Sequence, residues 1–127
     1  KIKSLCNIMI FSGDDSLSLP VMSIGGSGVV SVASNLIPNS IVTMIEYCLE
    51  DSYDKARKLY SFLYPLFKSL FIETNPAPLK YLLMKTGATK SDEVRLPLVK
   101  VNEYNASKLE EVYNVYLKDF KNNFINQ

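Results

Sequence analysis

Histidine is absent from this 127-residue chain. Without an imidazole there is no Ser-His-Asp or Cys-His nucleophilic machinery, and zinc sites lose their commonest nitrogen ligand. Cysteine is scarce. Cys6 and Cys48 stand far apart with neither redox nor metal-ligand spacing, so both read as buried free thiols suited to a reducing cytoplasm. Long apolar runs are lacking as well. The strongest, residues 8–11, is far too short to cross a bilayer, and no signal peptide is visible, so no membrane partner is expected. Neither charge sign is in excess: 14 basic residues face 13 acidic ones, for a net charge of +1. No basic stripe interleaves with aromatics, which argues against a nucleic-acid partner. Repeats and low-complexity segments are missing. The first residue is Lys1 rather than Met, which leaves room for a longer natural chain.

What is present is globular in composition, 47% hydrophobic and 21% charged, at a length that makes one modest domain. Residues 7–11 (Asn-Ile-Met-Ile-Phe) form a short apolar run ending at Ser12-Gly13, as expected of a strand buried on both faces of a parallel sheet. Asp14 or Asp15 then caps a helix with Leu17, Val21 and Ile24 along one face, in which Pro20 costs one hydrogen bond. Gly25-Gly26-Ser27-Gly28 ends that helix and feeds a β-branched strand over residues 29–32. Both strands point the same way, which makes a parallel βαβ unit. Such a unit has two open edges, and no third convincing strand follows to cover them.

From Pro38 the pattern turns helical. Ile41, Met44, Ile45 and Cys48 share a face, and a break at Asp51-Ser52 precedes a long helix over residues 53–71. Its stripe is Ala56, Leu59, Tyr60, Leu63, Phe67 and Leu70, with a kink expected at Pro65. Asn75-Pro76 reads as a cap followed by proline at the first helical position; that helix carries Leu79, Leu82 and Leu83 and stops at Gly87. Residues 95–99 (Arg-Leu-Pro-Leu-Val) read as extended. A last helix from about Asn105 carries Leu109, Val112, Tyr113, Tyr116 and Phe120. A boundary is expected near residues 35–40 or 50–52.

Ser12-Gly13-Asp14-Asp15 lies where a parallel strand ends and a helix begins, the end at which α/β folds bind ligands. Gly13 permits close approach to the backbone, and the paired carboxylates could orient an amine or hydroxyl. They could equally cap the helix and complement its dipole. The Gly25–Gly28 cluster lacks the third glycine of a dinucleotide fingerprint and the Lys-Ser/Thr of a phosphate loop, and reads as a turn. The eight tyrosines fall mostly on helix faces and read as packing or interface. No lysine stands within either strand, where a desolvated nucleophilic amine belongs. No metal or cofactor is expected.

Ser-Gly-Asp-Asp at 12–15, Gly-Gly-x-Gly-Val-Val-Ser-Val at 25–32, Leu-Phe-Ile-Glu-Thr-Asn-Pro-Ala-Pro-Leu-Lys at 70–80 and Arg-Leu-Pro-Leu at 95–98 occur in order. Together they resemble the C-terminal part of the dihydrodipicolinate synthase family, over nearly the whole chain. The resemblance implies the end of a (β/α)8 barrel at residues 1–51, with the seventh strand over 7–11 and the eighth over 29–32, followed by a helical C-terminal region at 52–127. It implies a cytoplasmic, homo-oligomeric, tetrameric lyase of lysine and diaminopimelate biosynthesis. Pyruvate forms a Schiff base with a lysine there and condenses with aspartate-4-semialdehyde. Gly13 and Val30 match pocket-lining positions. Asp14 and Asp15 follow that glycine and, on this resemblance, are expected to help orient the semialdehyde.

The segments that carry the family's Schiff-base lysine, its proton-relay tyrosines and its carboxylate-binding threonines precede the matched part. No catalytic residue is therefore assigned, Lys80 and Lys100 included, and the chain alone is expected to be inactive. Sialic acid lyases of the same superfamily are the nearest alternative. They would carry Glu after the second Asp and Ser near the last strand's end, where this chain has Ser16 and Val32. A sugar-acid aldolase, or a non-catalytic remnant or oligomerisation module, are the other readings.

Overall fold

The computed structural model describes residues 2–120; Lys1 and residues 121–127, the end of the expected helical region, lie outside the described residues. The chain divides into two compact units, residues 1–61 and 62–127, with the division inside helix α4 (Tyr53–Ser69).

The first unit opens with a short helix, α1 (Ile2–Leu5), followed by strand β1 (Phe11–Ser12). A 3₁₀ turn (Asp15–Leu17) leads into α2 (Ser18–Ser23). Strand β2 (Gly28–Val29), a second 3₁₀ turn (Ala33–Asn35) and α3 (Pro38–Leu49) follow. The strands pair in parallel, Phe11 opposite Gly28 and Ser12 opposite Val29, so the expected βαβ unit is present. Bonds from Ser27 N to Ile10 O and from Val30 N to Ser12 O, both 2.7 Å, extend the pairing by one residue at each end. Both strands are shorter than expected. Residues 7–9 lie outside the ladder, and Val32 is drawn off by a side chain of the preceding loop.

The glycine turn is a Schellman closure. Ile24 caps α2, Gly25 N–H reaches Met22 O at 3.0 Å, and Gly26 N–H reaches Val21 O at 2.8 Å. Gly25 has φ +92°, and a Cβ on Gly26 would fall 2.7 Å from the Val21 carbonyl oxygen, so both glycines are required. The buried face of this segment is not the expected one. Asp15, Ser18 and Met22 point inward, while Leu17 and Ile24 are 53% and 81% exposed. The 3₁₀ turn before α2 has three residues per turn, which shifts the phase of a stripe counted at 3.6. Pro20 falls in the first turn of α2, where the N–H it lacks has no helical acceptor, so the expected penalty does not arise. Met22 packs with Cys48 of α3 and Ala56 of α4.

The same closure recurs after α3 without glycine. Asp51 N–H bonds Cys48 O at 3.3 Å and Ser52 N–H bonds Tyr47 O at 2.8 Å, with Asp51 itself at φ 56°. A Cβ is disfavoured there, and aspartate only partly tolerates it. Asp51→Gly is therefore expected to stabilise the chain by about 0.5–1 kcal/mol, read as a higher urea midpoint.

In the second unit, α4 continues through Pro65, whose missing N–H leaves the Ser61 carbonyl without its helical donor. Leu63, Phe67 and Leu70 of the expected stripe are buried, joined by Leu66. Helix α5 (Ala77–Lys85) packs on α6 (Glu103–Phe120). The cap of α5 is Pro76 rather than Asn75, and the Asn75–Pro76 peptide is cis. Gly87, at φ +77°, closes it as expected. Arg95 to Leu98 is a tight turn around a cis Leu96–Pro97 peptide, closed by Leu98 N–H to Arg95 O at 3.0 Å, where an extended run was expected. Helix α6 starts earlier than Asn105. Asn102 caps it, its Oδ1 accepting from Asn105 N–H at 2.9 Å. Glu73 Oε1 ties the cap down, accepting from the Asn102 amide and from the side chains of Asn102 and Asn105. Phe62, Tyr113, Tyr116 and Phe120 form an aromatic cluster.

Candidate active-site loops

Two loops leave the same end of the parallel pair, and their sequences decide how they meet. After β1, Ser12 is buried, and its hydroxyl donates to Asp14 O at 2.7 Å while accepting from Asp14 N–H at 3.2 Å. This folds the chain tightly around Gly13. Asp14 then caps the 3₁₀ turn, its Oδ1 accepting from Ser16 N–H and Ser16 Oγ, each at 2.7 Å. Beneath the turn, the Tyr60 hydroxyl donates to Ser16 O at 2.5 Å and Ser18 Oγ donates to Asp15 O at 2.7 Å. The Tyr53 hydroxyl donates to Met22 O at 3.1 Å. Both tyrosines thus hold backbone.

After β2, Val30 is anchored by its N–H to Ser12 O and turns its side chain outward, 70% exposed. Gly13 is also exposed, and a Cβ built on it would meet nothing within 4 Å. Gly13 and Val30, proposed from sequence as pocket wall, each follow the last paired residue of their strand, at the strands' C-terminal ends. Asp14 stands beside them, half-buried. Asp15 is 1% exposed, and its carboxylate faces the second loop. Its Oδ1 accepts from Ser31 Oγ, and its Oδ2 from Val32 N–H at 3.1 Å and Ala33 N–H at 2.9 Å. Sequence reasoning gave Ser31 and Tyr60 no role at these loops; Ser31 lies 16 residues from its partner, beyond any local spacing signal.

Three lysines elsewhere are engaged. The Lys80 ammonium donates to Glu93 O. Lys100 lies 2.6 Å from Asp92, and Lys85 lies 3.0 Å from Glu110. Hydrogen bonds to those carboxylates raise the pKa of both Lys100 and Lys85, the opposite of what an amine nucleophile needs. Among the described residues no group of His, Cys, Asp and Glu could hold a metal ion, and no helix is long and apolar enough to cross a membrane.

The geometry invites comparison with known proteins. Residues 1–115 match the family described as "Dihydrodipicolinate synthetase family". The 4-hydroxy-tetrahydrodipicolinate synthase of Methanococcus vannielii is 43% identical over 114 residues, which are 90% of this chain and 39% of that protein. That of Hydrogenobaculum sp. is 46% identical over 115 residues, 91% and 39% respectively. The crystal structure of dihydrodipicolinate synthase from Aquifex aeolicus superposes with a TM-score of 0.87 at 42% identity, covering 91% of this chain and 40% of that one. The synthase structure from Methylacidiphilum fumariolicum SolV gives 0.86 at 43%, covering 90% and 38%. The chain spans about two fifths of the length of these relatives and has the fold of the C-terminal part of a (β/α)8 barrel followed by helices. By a family match over residues 1–115, by relatives 43% and 46% identical and by superposition, the chain belongs to the dihydrodipicolinate synthetase family.

Proposed function

We propose that this chain supplies the last two strands of a Schiff-base lyase that condenses pyruvate with aspartate-4-semialdehyde in lysine and diaminopimelate biosynthesis. In this reading residues 1–51 end the barrel and residues 52–127 form its C-terminal helical region. The supporting observation is that Gly13 and Val30 directly follow the paired residues Ser12 and Val29, at the C-terminal end of a parallel ladder, where barrel active sites lie. Gly13 and Val30 wall the pocket. Asp14 orients the semialdehyde from its own carboxylate, and Asp15 acts through the loop it ties to Ser31, Val32 and Ala33.

The nucleophile in this reading is a neutral, desolvated lysine on an upstream strand, since neither strand of this chain carries a lysine. Its amine adds to the pyruvate carbonyl and loses water. The imine so formed gives up a proton from its methyl carbon to become an enamine, which attacks the aldehyde carbon, so the wall's task is to hold a small planar adduct in line. The chain alone is inactive in this reading, and the working enzyme is a cytoplasmic homo-oligomer, a tetramer.

The reading is tested by joining this chain behind the first six strand–helix units of the Hydrogenobaculum synthase. The joined barrel is expected to consume aspartate-4-semialdehyde with pyruvate and to leave N-acetylneuraminate intact. The reverse selectivity would favour a sialic acid lyase. An assembly module is favoured by one observation, the exposed Phe11 on a two-stranded sheet with exposed Ile8, Met9 and Val30 in the segments that flank its strands. A soluble monomer of this chain that unfolds cooperatively counts against that second reading.

A further inference from the structure

We propose that Asp15 is a positioning residue, a buried anionic clamp that fixes the loop after β2 against the loop after β1 and so sets the spacing of Gly13 and Val30. This rests on the reading of those two residues as pocket wall. The clamp itself is a matter of geometry. Asp15 is 1% exposed, yet no lysine or arginine pairs with it among the described residues. Its charge is held by the Ser31 hydroxyl and the Val32 and Ala33 amides.

A carboxylate offers about four lone-pair positions, so three donors leave little for a ligand. The two amides open the 3₁₀ turn Ala33–Asn35 and lack partners inside that turn, so an anion is favoured there. The clamp has a second layer. Ser31 Oγ also accepts from Ser34 N–H at 2.8 Å, which fixes the hydroxyl that donates to Asp15. Val30 is therefore pinned on both sides, by its own N–H on Ser12 O and by its neighbours Ser31 and Val32 on Asp15. Removing the second hold leaves Val30 attached by one bond. A wall displaced by about 1 Å is enough to cost on the order of 100-fold in rate.

Hydrogen exchange on this chain reads the clamp directly. In Asp15→Ala the Val32 and Ala33 amides are expected to exchange about 10- to 100-fold faster, while Met44 and Leu66 stay within about 3-fold. Asp15→Asn can keep both amides on its one oxygen and turn its NH₂ to Ser31 Oγ, so its rates are expected within about 5-fold of wild type. In the joined barrel, Asp15→Ala is expected to raise the pyruvate KM by about 10-fold or more, with kcat changed less, and Asp15→Asn by no more than about 3-fold. Unchanged exchange at Val32 and Ala33 in Asp15→Ala overturns the clamp. Asparagine as damaging to KM as alanine, with the amides still protected, means the carboxylate touches substrate and also overturns it. Should Asp15→Ala unfold globally, Ser31→Ala removes one donor alone and is expected to speed those amides about 3- to 10-fold; unchanged rates there overturn the proposal equally. A wild-type barrel with no pyruvate turnover counts against the proposed function, and the exchange rates then still decide the clamp.

Discussion

Phe67→Ala is expected to destabilise the chain by about 3–5 kcal/mol, a large part of what a domain this size has to lose. Phe67 is 1% exposed and sits in the α4 stripe between Leu63 and Leu70, both fully buried. Truncation removes the ring's transfer energy and leaves a cavity that a helix flanked by buried Leu66 and Leu70 can collapse only in part. Phe71, two residues past the end of α4 and 46% exposed, is the control: its alanine variant is expected to change stability by less than about 1 kcal/mol. Urea titration followed by circular dichroism reads both. Equal effects at the two positions would contradict the burial pattern.

Gly13→Val is expected to separate folding from function. A Cβ on Gly13 meets no atom within 4 Å, and its φ lies outside the left-handed region, so the chain's stability should change by less than about 0.5 kcal/mol. The same side chain projects where the pocket reading places the bound pyruvate. In the joined barrel it should lower kcat/KM for pyruvate by about 100-fold or more. Loss of stability instead would make Gly13 a structural glycine, and undiminished turnover would remove it from the pocket wall. The contrast with Gly26 is instructive. There the added Cβ strikes the Val21 backbone, so the same substitution damages folding first.

The sequence carries those features that depend on near neighbours. Parallel strand direction, the Gly25–Gly26 closure of α2 and the stripes of α3 and α4 follow from short-range periodicity and turn chemistry, and the structure has them. The face of α2 was misjudged because a 3₁₀ turn reset its phase and left Leu17 and Ile24 outside. The start of α6 is expected near Asn105 from the sequence, although Asn102, a residue type that commonly caps helices, stands just before it. The cap's anchor, Glu73, is 29 residues from Asn102 and was not legible. The Asp14-Asp15 pair shows the same limit within one dipeptide. Asp14 bonds Ser16, two residues away, whereas Asp15 bonds a loop 16 to 18 residues on. Identical side chains in adjacent positions take different jobs because the strand pairing, not the local sequence, decides what each one faces.

In the proposed function this chain walls a pocket whose covalent partner is a lysine on another segment. Borohydride reduction of the joined barrel with pyruvate, followed by peptide mass mapping, tests it most directly. One pyruvate-derived adduct per chain is expected, on a lysine of the upstream strands, with none on residues 1–127 and none when this chain is treated alone. A stoichiometric adduct on any lysine of this chain, with or without the upstream strands, would contradict it.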